Sequence, residues 1–354
     1  MAAEAQKALA VISDREGFGD AFWRLYFIRA LKRGFADHRL VWLSTVPTYY
    51  VSTLKPIVAG LIDEAESHLP IERPAGPALA RLRALPAYDL VIDIRTAWKR
   101  VALAWWGLRY RRYVTHCAGI PTGQFLYSLF GRPRHSLHRL LRLAAIAAGR
   151  ALDGRGTIAV PAEARARAAA LLPDGPAYVG LGPGATGPIK CWPLENFIAL
   201  GRRLAEEGAV PVMLIGPDET QMAATLRAAL PAAIFPGHDA PGGRADLDLL
   251  LAVGERLSLA VVHDTGPAHM LAALGVPLVS LFGPTDPTRF LPVDVPVFLL
   301  DVVEFGGSRR DEGGLGAIPF DAVWEGVRFQ RARRGNASLG HKRLRRVAPL
   351  LEAA

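Results

Sequence analysis

Apolar residues fall in two alternating patterns along this chain: short continuous runs, and longer stretches in which they recur every three or four positions. ALAVIS at 8–13 predicts a buried strand, and a glycine-bearing loop, REGFGD at 15–20, leads into a helix over 21–35. RLVWLST at 39–45 and YDLVIDI at 88–94 predict two further strands. The second is preceded by Pro86 and followed by the helical AWKRVALAWWGL, in which Trp105 and Trp106 are expected to pack inward.

The rhythm then breaks. Residues 150–176 run through Gly, Pro and an Arg/Ala-rich helix, as a linker between two sheets would. It restarts with a strand at 177–183, a Gly/Pro loop, a helix at 194–208, a strand at 210–216 and a helix from about Asp218. A strand at 257–264, a short helix GPAHMLAALG and a strand at 276–283 follow. Strands alternating with helices predict α/β layers with a parallel sheet, here formed twice. The expected domains are 1–165 and 175–315, followed by a closing helix and basic tail over 316–354. A length of 354 residues suits two buried cores better than one.

Composition removes several classes. With 51% hydrophobic and 21% charged residues the chain is neither disordered nor fibrous, and no apolar run is long enough for a membrane-spanning helix. The amino terminus lacks the basic start and long apolar core of a secretory signal. Cys117 and Cys191 can neither staple a domain of this size nor form a zinc site, so a cytoplasmic setting without a metal is expected. Charge divides unevenly: residues 1–160 hold 23 Lys/Arg against 12 Asp/Glu, whereas 161–330 hold 12 against 20. A basic front half suits an anionic partner, and an Arg-rich proteome would give the same balance.

In open parallel sheets, ligands bind beyond the carboxyl ends of strands. GPGATGPIKCWP at 182–193 occupies such a position; its glycines let backbone N–H groups approach phosphate oxygens, and Lys190 adds a positive charge. The spacing is not that of a Walker loop, which disfavours ATP hydrolysis. In HDTGPAHM at 263–270, Thr265 can cap a helix, Gly266 frees the backbone and Pro267 suits the first turn, so amide groups there point at an anion; His269 lies on that turn beside Asp264. GPTDP at 283–287 is the third such loop and also reads as a simple turn. Near the amino terminus, Asp20 opens a helix either as a partner of its dipole or as a reactive carboxylate, and spacing alone leaves both open.

Taken in order, the strand followed by GFGD, YDLVIDI, PGAT with Lys190 and WP, IGPDE at 215–219, DTGPAHMLAALGVP and LFGPTDP resemble glycosyltransferase family 9, the lipopolysaccharide heptosyltransferases, over roughly residues 8–330. The resemblance implies a GT-B fold: two Rossmann-like domains facing across a cleft, the first for the acceptor and the second for the nucleotide sugar. It implies an inverting, metal-independent transfer of heptose from ADP-heptose onto an inner-core hydroxyl, with no cofactor. By position it makes Asp20 the general base, gives Lys190, Thr186 and Gly184 to the phosphates, Asp264, Thr265, Gly266 and His269 to the donor sugar and diphosphate, and Asp218 or Glu219 to the ribose. Where the family has a Ser-rich turn before Asp20, this chain has Arg15 and Glu16, and bulky Phe22, Trp23 and Tyr26 follow it.

Displacing ADP from a sugar carbon needs a base for the incoming hydroxyl and positive charge for the departing diphosphate, which Asp20 and Lys190 could supply. Arg24, Lys99 and Arg100 belong to a basic set suited to an anionic glycolipid, with peripheral contact at the inner membrane, although each alone reads as a solvated surface charge. Two other readings compete. Glycines at 180, 182 and 184 after a strand suit a nicotinamide-dependent oxidoreductase, with IGPDE holding ribose. The pI of about 9.9 suits binding to nucleic acid or an anionic membrane, but no nucleic-acid recognition motif is present, so no nucleic-acid partner is expected.

Overall fold

Strand β1 (Lys7–Ser13) has both faces covered, which is why its apolar residues run on without alternating. It pairs in parallel with β2 (His38–Ser44) on one side and β4 (Tyr88–Asp93) on the other, placing Val11 opposite both Trp42 and Ile92. With β3 (Glu64–Glu66) and β5 (Tyr110–Thr115) at the edges, the sheet order is β3-β2-β1-β4-β5. This computed structural model describes residues 6–69, 75–117, 133–185, 187–216, 219–239, 246–311 and 314–334.

Helices α1 (Phe18–Gly34), α2 (Ala75–Ala84), α3 (Trp98–Gly107) and α4 (Ser136–Ala148) accompany this sheet. Helix α1 starts earlier than the sequence predicts, so Phe18 to Asp20 form its first turn rather than a loop. Gly17 is the extended N-cap, and Asp20 Oδ2 accepts its backbone N–H at 3.0 Å. That is half of a capping box; glycine has no side chain to complete it. Trp105 packs against the core as expected, but Trp106 is 73% exposed, because neighbouring helical positions point about 100° apart and only one can face inward.

The chain crosses back over α1 near Asp153. Gly154 is required there, since a Cβ on it would lie 1.8 Å from the Tyr26 carbonyl oxygen. Gly154→Ala is expected to destabilise the fold by about 3 kcal/mol, read as a lower denaturant midpoint.

A second compact unit begins at Thr157, the first ending at Gly156. Helix α5 (Ala162–Leu171), part of the expected linker, docks on this unit's α9 (Leu247–Arg256) through Arg165 to Glu255 at 2.7 Å. Strands β6 (Ala177–Gly182), β7 (Ala209–Met213), β8 (Leu257–His263), β9 (Leu278–Phe282) and β10 (Val297–Asp301) form a parallel sheet ordered β10-β9-β8-β6-β7. Helices α6 (Leu194–Glu206), α7 (Thr220–Ala229) and α8 (Pro236–Asp239) precede α9; α10 (Gly266–Ala273), α11 (Pro287–Phe290) and α12 (Phe320–Arg334) follow. Helix α12 covers β8, β9 and β10: Gly326 admits Phe298 against its backbone, and Gln330 Nε2 donates to the Leu278 carbonyl at 2.8 Å. Among the described residues no helix is long and apolar enough to cross a membrane.

Candidate active site

Each sheet has a topological switch point, between β1 and β4 in the first unit and between β6 and β8 in the second, where consecutive connections leave to opposite sides. The loops at these carboxyl ends carry the residues singled out by sequence.

In the first unit Asp20 is partly exposed and both its carboxylate oxygens are engaged. Oδ2 accepts from Gly17, and Oδ1 accepts from the Trp23 indole N–H at 2.9 Å. Arg24 is not a solvated charge. It is 8% exposed, pairs with the buried Glu16 carboxylate at 3.0 Å, and donates to the Arg15 carbonyl at 3.3 Å. Glu16 also accepts from the Thr48 hydroxyl and, at 3.1 Å, from the Tyr49 backbone N–H. Of the residues that depart from a Ser-rich turn, Glu16 therefore anchors a buried network with Arg24, Thr48 and Tyr49. Sequence reasoning missed Glu16, because its partners stand on separate elements.

A second buried network closes the end of β4. Asp93 and Arg95 have fully buried side chains and pair at 2.5 Å, and Tyr113 on β5 donates its hydroxyl to Asp93 at 2.5 Å. Burial works most strongly against the Arg95 charge, but hydrogen bonding to Asp93 and the charge of Asp93 together outweigh it and raise the guanidinium pKa. Burial, with the Asp93 charge adding to it, pushes the Tyr113 phenol well above its ordinary value. Arg95 Nη2 also donates to the Arg100 carbonyl at 3.0 Å, pinning the first turn of α3, where Lys99 and Arg100 are exposed.

In the second unit the loop after β6 folds onto the end of β8. The Trp192 backbone N–H donates to His263 Nε2 at 2.9 Å, and its indole N–H donates to the Ile318 carbonyl at 2.9 Å. Phe197 stacks edge-on against both rings. Accepting at Nε2 fixes His263 as the tautomer protonated at Nδ1. Burial lowers its pKa to about 4, opposed by the nearby Gly184 backbone. Lys190 closes a 3₁₀ turn, Pro188–Lys190, in the same loop, and is partly exposed.

Gly184 meets Glu219 across this end of the sheet. Glu219 Oε2 accepts the Gly216 N–H at 2.6 Å, and a Cβ on Gly184 would fall 2.5 Å from Oε1, so the carboxylate rests directly over the glycine. Asp264 and His269 lie 3.3 Å apart at the start of α10, both nearly buried. Thr265 is the N-cap by backbone position, but its hydroxyl turns back to the His263 carbonyl at 3.4 Å instead of capping the helix, so Thr265 gives the Gly266 turn no side-chain acceptor. The GPTDP loop is braced by Arg309, which donates to the Gly283 and Thr285 carbonyls at 2.9 and 2.5 Å and pairs with Asp301. Thr186 and Asp218 lie outside the described residues.

The structure thus gathers Gly184, Glu219, Asp264, Thr265 and Gly266 at one switch point, with Lys190 in the adjoining turn. His263, Trp192 and Arg309 were not singled out by sequence, although His263 directly precedes Asp264. Among the described residues no three His, Cys, Asp or Glu side chains are grouped as a metal ion would need.

The family model described as glycosyltransferase family 9 (heptosyltransferase) matches residues 80–300. Lipooligosaccharide heptosyltransferase 2 of Haemophilus influenzae is 27% identical over 136 residues, 38% of this chain and 39% of that one. Lipopolysaccharide heptosyltransferase 3 of Escherichia coli is 34% identical over 109 residues, 31% of this chain and 32% of that one. The matched stretch spans between 32% and 39% of the length of these curated relatives. Among solved structures, a family 9 glycosyl transferase from Veillonella parvula superposes with a TM-score of 0.69 at 19% identity, covering 93% of this chain and 98% of that one. The E. coli ADP-heptose LPS heptosyltransferase II gives 0.64 at 18% identity, covering 93% and 99%. An E. coli heptosyltransferase solved with ADP gives 0.62 at 20%, covering 91% and 99%. At these identities the structures establish the fold, the paired parallel-sheet architecture of the GT-B class.

Proposed function

Because this chain belongs to glycosyltransferase family 9, we propose that it is an inverting, metal-independent glycosyltransferase that moves heptose from ADP-heptose onto a hydroxyl of an anionic glycolipid such as a lipopolysaccharide inner core. The observation that carries this reading is the Trp192 to His263 hydrogen bond, which holds the Gly184 to Lys190 loop against the Asp264 to Gly266 turn at the switch point of the second sheet. Two amide-bearing turns side by side, with a lysine, suit a diphosphate. The solved relative with ADP is consistent with that ligand class.

In the proposed step the acceptor hydroxyl oxygen bonds to the anomeric carbon as the bond from that carbon to the diphosphate oxygen breaks. The hydroxyl proton passes to Asp20, and ADP leaves with its negative charge met by Lys190 and the amides around Gly184 and Gly266. The Glu219 carboxylate suits the ribose hydroxyls, and Asp264 with His269 suits those of the donor sugar. Arg24, paired with Glu16, sits 5.5 Å from the ring centroid of Trp23, the indole donor to Asp20, and leaves contact with the acceptor to Lys99 and Arg100.

A thermal-shift screen of ADP, UDP, GDP and their sugars tests the reading, since a ligand that binds only the folded state raises its stability. ADP and ADP-heptose are expected to raise Tm most, and a larger rise with another nucleotide, or with NAD, would overturn the donor assignment. Lys190→Ala is expected to reduce both the ADP shift and turnover. Gly184→Ala forces the Glu219 carboxylate off Gly216 and is expected to raise the donor KM about tenfold with a smaller change in kcat.

A further inference from the structure

One face of α3 is left bare by the core of its unit. Among the described residues four large apolar side chains stand exposed, and two of them, Trp98 at 62% and Trp106 at 73%, belong to this ten-residue helix. Val101, Ala104 and Gly107 take its buried side, with Gly107 against Leu79 and Leu82 of α2. Helical geometry puts Trp98, Lys99, Ala102 and Trp106 on the opposite side, the two tryptophans about 12 Å apart along the axis. Both rings reach one plane only when the helix lies flat along it.

The charge around this face is one-sided. Residues 75–112 hold eight Lys/Arg and two Asp/Glu. Asp93 is buried under Arg95 and Tyr113, and Asp89 accepts the Ala8 backbone N–H at 3.0 Å and faces Arg111 at 3.6 Å. Arg81 and Arg83 on α2, Lys99 and Arg100 on α3 and Arg109 just beyond it are exposed, with the Lys99 ammonium 5.7 Å from the Trp98 ring centroid.

We propose that this face of α3 docks on an anionic lipid bilayer, with Trp98 and Trp106 seated at headgroup depth and the exposed basic side chains of α2 and α3 against lipid phosphates. Tryptophan favours that depth because its ring is apolar at one end and carries an N–H at the other. Lysine and arginine near an anionic leaflet add attraction that salt screens. A protein partner would call for a contiguous apolar patch, and these are two separate rings with the Lys99 ammonium beside one of them. A duplex would call for a recognition-helix motif and a single strand for a basic groove lined with stacking aromatics, and the sequence carries neither signature. Nothing in the donor site enters this proposal, and the variants below leave Lys99 and Arg100, the residues proposed to meet the acceptor, unchanged.

Cosedimentation of the full chain with vesicles tests it. Wild-type protein is expected to pellet with mixed phosphatidylcholine and phosphatidylglycerol vesicles, to remain in solution with phosphatidylcholine alone, and to be released by high salt. Trp98→Ala/Trp106→Ala and Arg81→Glu/Arg83→Glu are each expected to weaken the anionic interaction about tenfold or more. All four side chains are exposed, and unchanged circular dichroism and Tm verify that the variants fold. Equal binding by the tryptophan variant, equal binding to both vesicle types, no binding to either, or displacement from vesicles by a single-stranded oligonucleotide would each overturn the proposal.

Discussion

Replacing Asp20 with alanine is expected to lower kcat roughly 10²–10⁴-fold, the usual contribution of a positioned base, while the ADP-induced thermal shift persists. The expectation follows from the surroundings of the carboxylate. Gly17 and Trp23 each donate one hydrogen bond to it, so its orientation is fixed. Trp23→Phe removes the second donor, loosens the carboxylate and is expected to lower kcat with little change in the donor KM. Undiminished turnover in the alanine variant would remove Asp20 from the mechanism; a lost ADP shift would mean that the replacement had damaged more than the proton acceptor.

The second large effect belongs to His263. Its folded-state pKa of about 4 lies below the ordinary 6.5, so between those values the unfolded chain binds the proton that the folded chain refuses. Stability from this group is complete above pH 6.5 and falls away as the pH drops toward 4, by about 3 kcal/mol if the full shift is expressed. Protonation would also remove the acceptor for the Trp192 N–H and free the loop that carries Lys190. Chemical denaturation of wild type and His263→Gln at pH 7 and pH 4.5 measures this. Glutamine supplies an uncharged acceptor, so its loss of stability over that interval should be smaller. Identical slopes for the two proteins would place the acid sensitivity elsewhere.

Central strands were legible because both faces of a parallel sheet are covered. The runs at 8–13, 177–183 and 257–264 are continuous for that reason and appear as β1, β6 and β8. The edge strands of the first sheet were not: β5 carries exposed Arg111 and Arg112, and β3 is the unremarkable Glu-Ala-Glu. The glycine loops of the donor side were recognisable because backbone freedom has a composition of its own. Arg24 and His263 were misread or passed over because their roles depend on partners that spacing does not reveal. Glu16 sits on a loop eight residues away, and the Trp192 amide is 71 residues away in another strand's loop. Trp106 was assigned to the core by residue type, when its place on the helix decided otherwise.

The triangle of Asp93, Arg95 and Tyr113 also constrains how this chain can drift. Losing the carboxylate alone would strand a positive charge away from water, at about 3–5 kcal/mol, whereas an apolar trio of matching volume could be nearly neutral. The three positions are coupled in inheritance: intermediates with one member changed are disfavoured, and related sequences should keep the whole set or exchange it as a block.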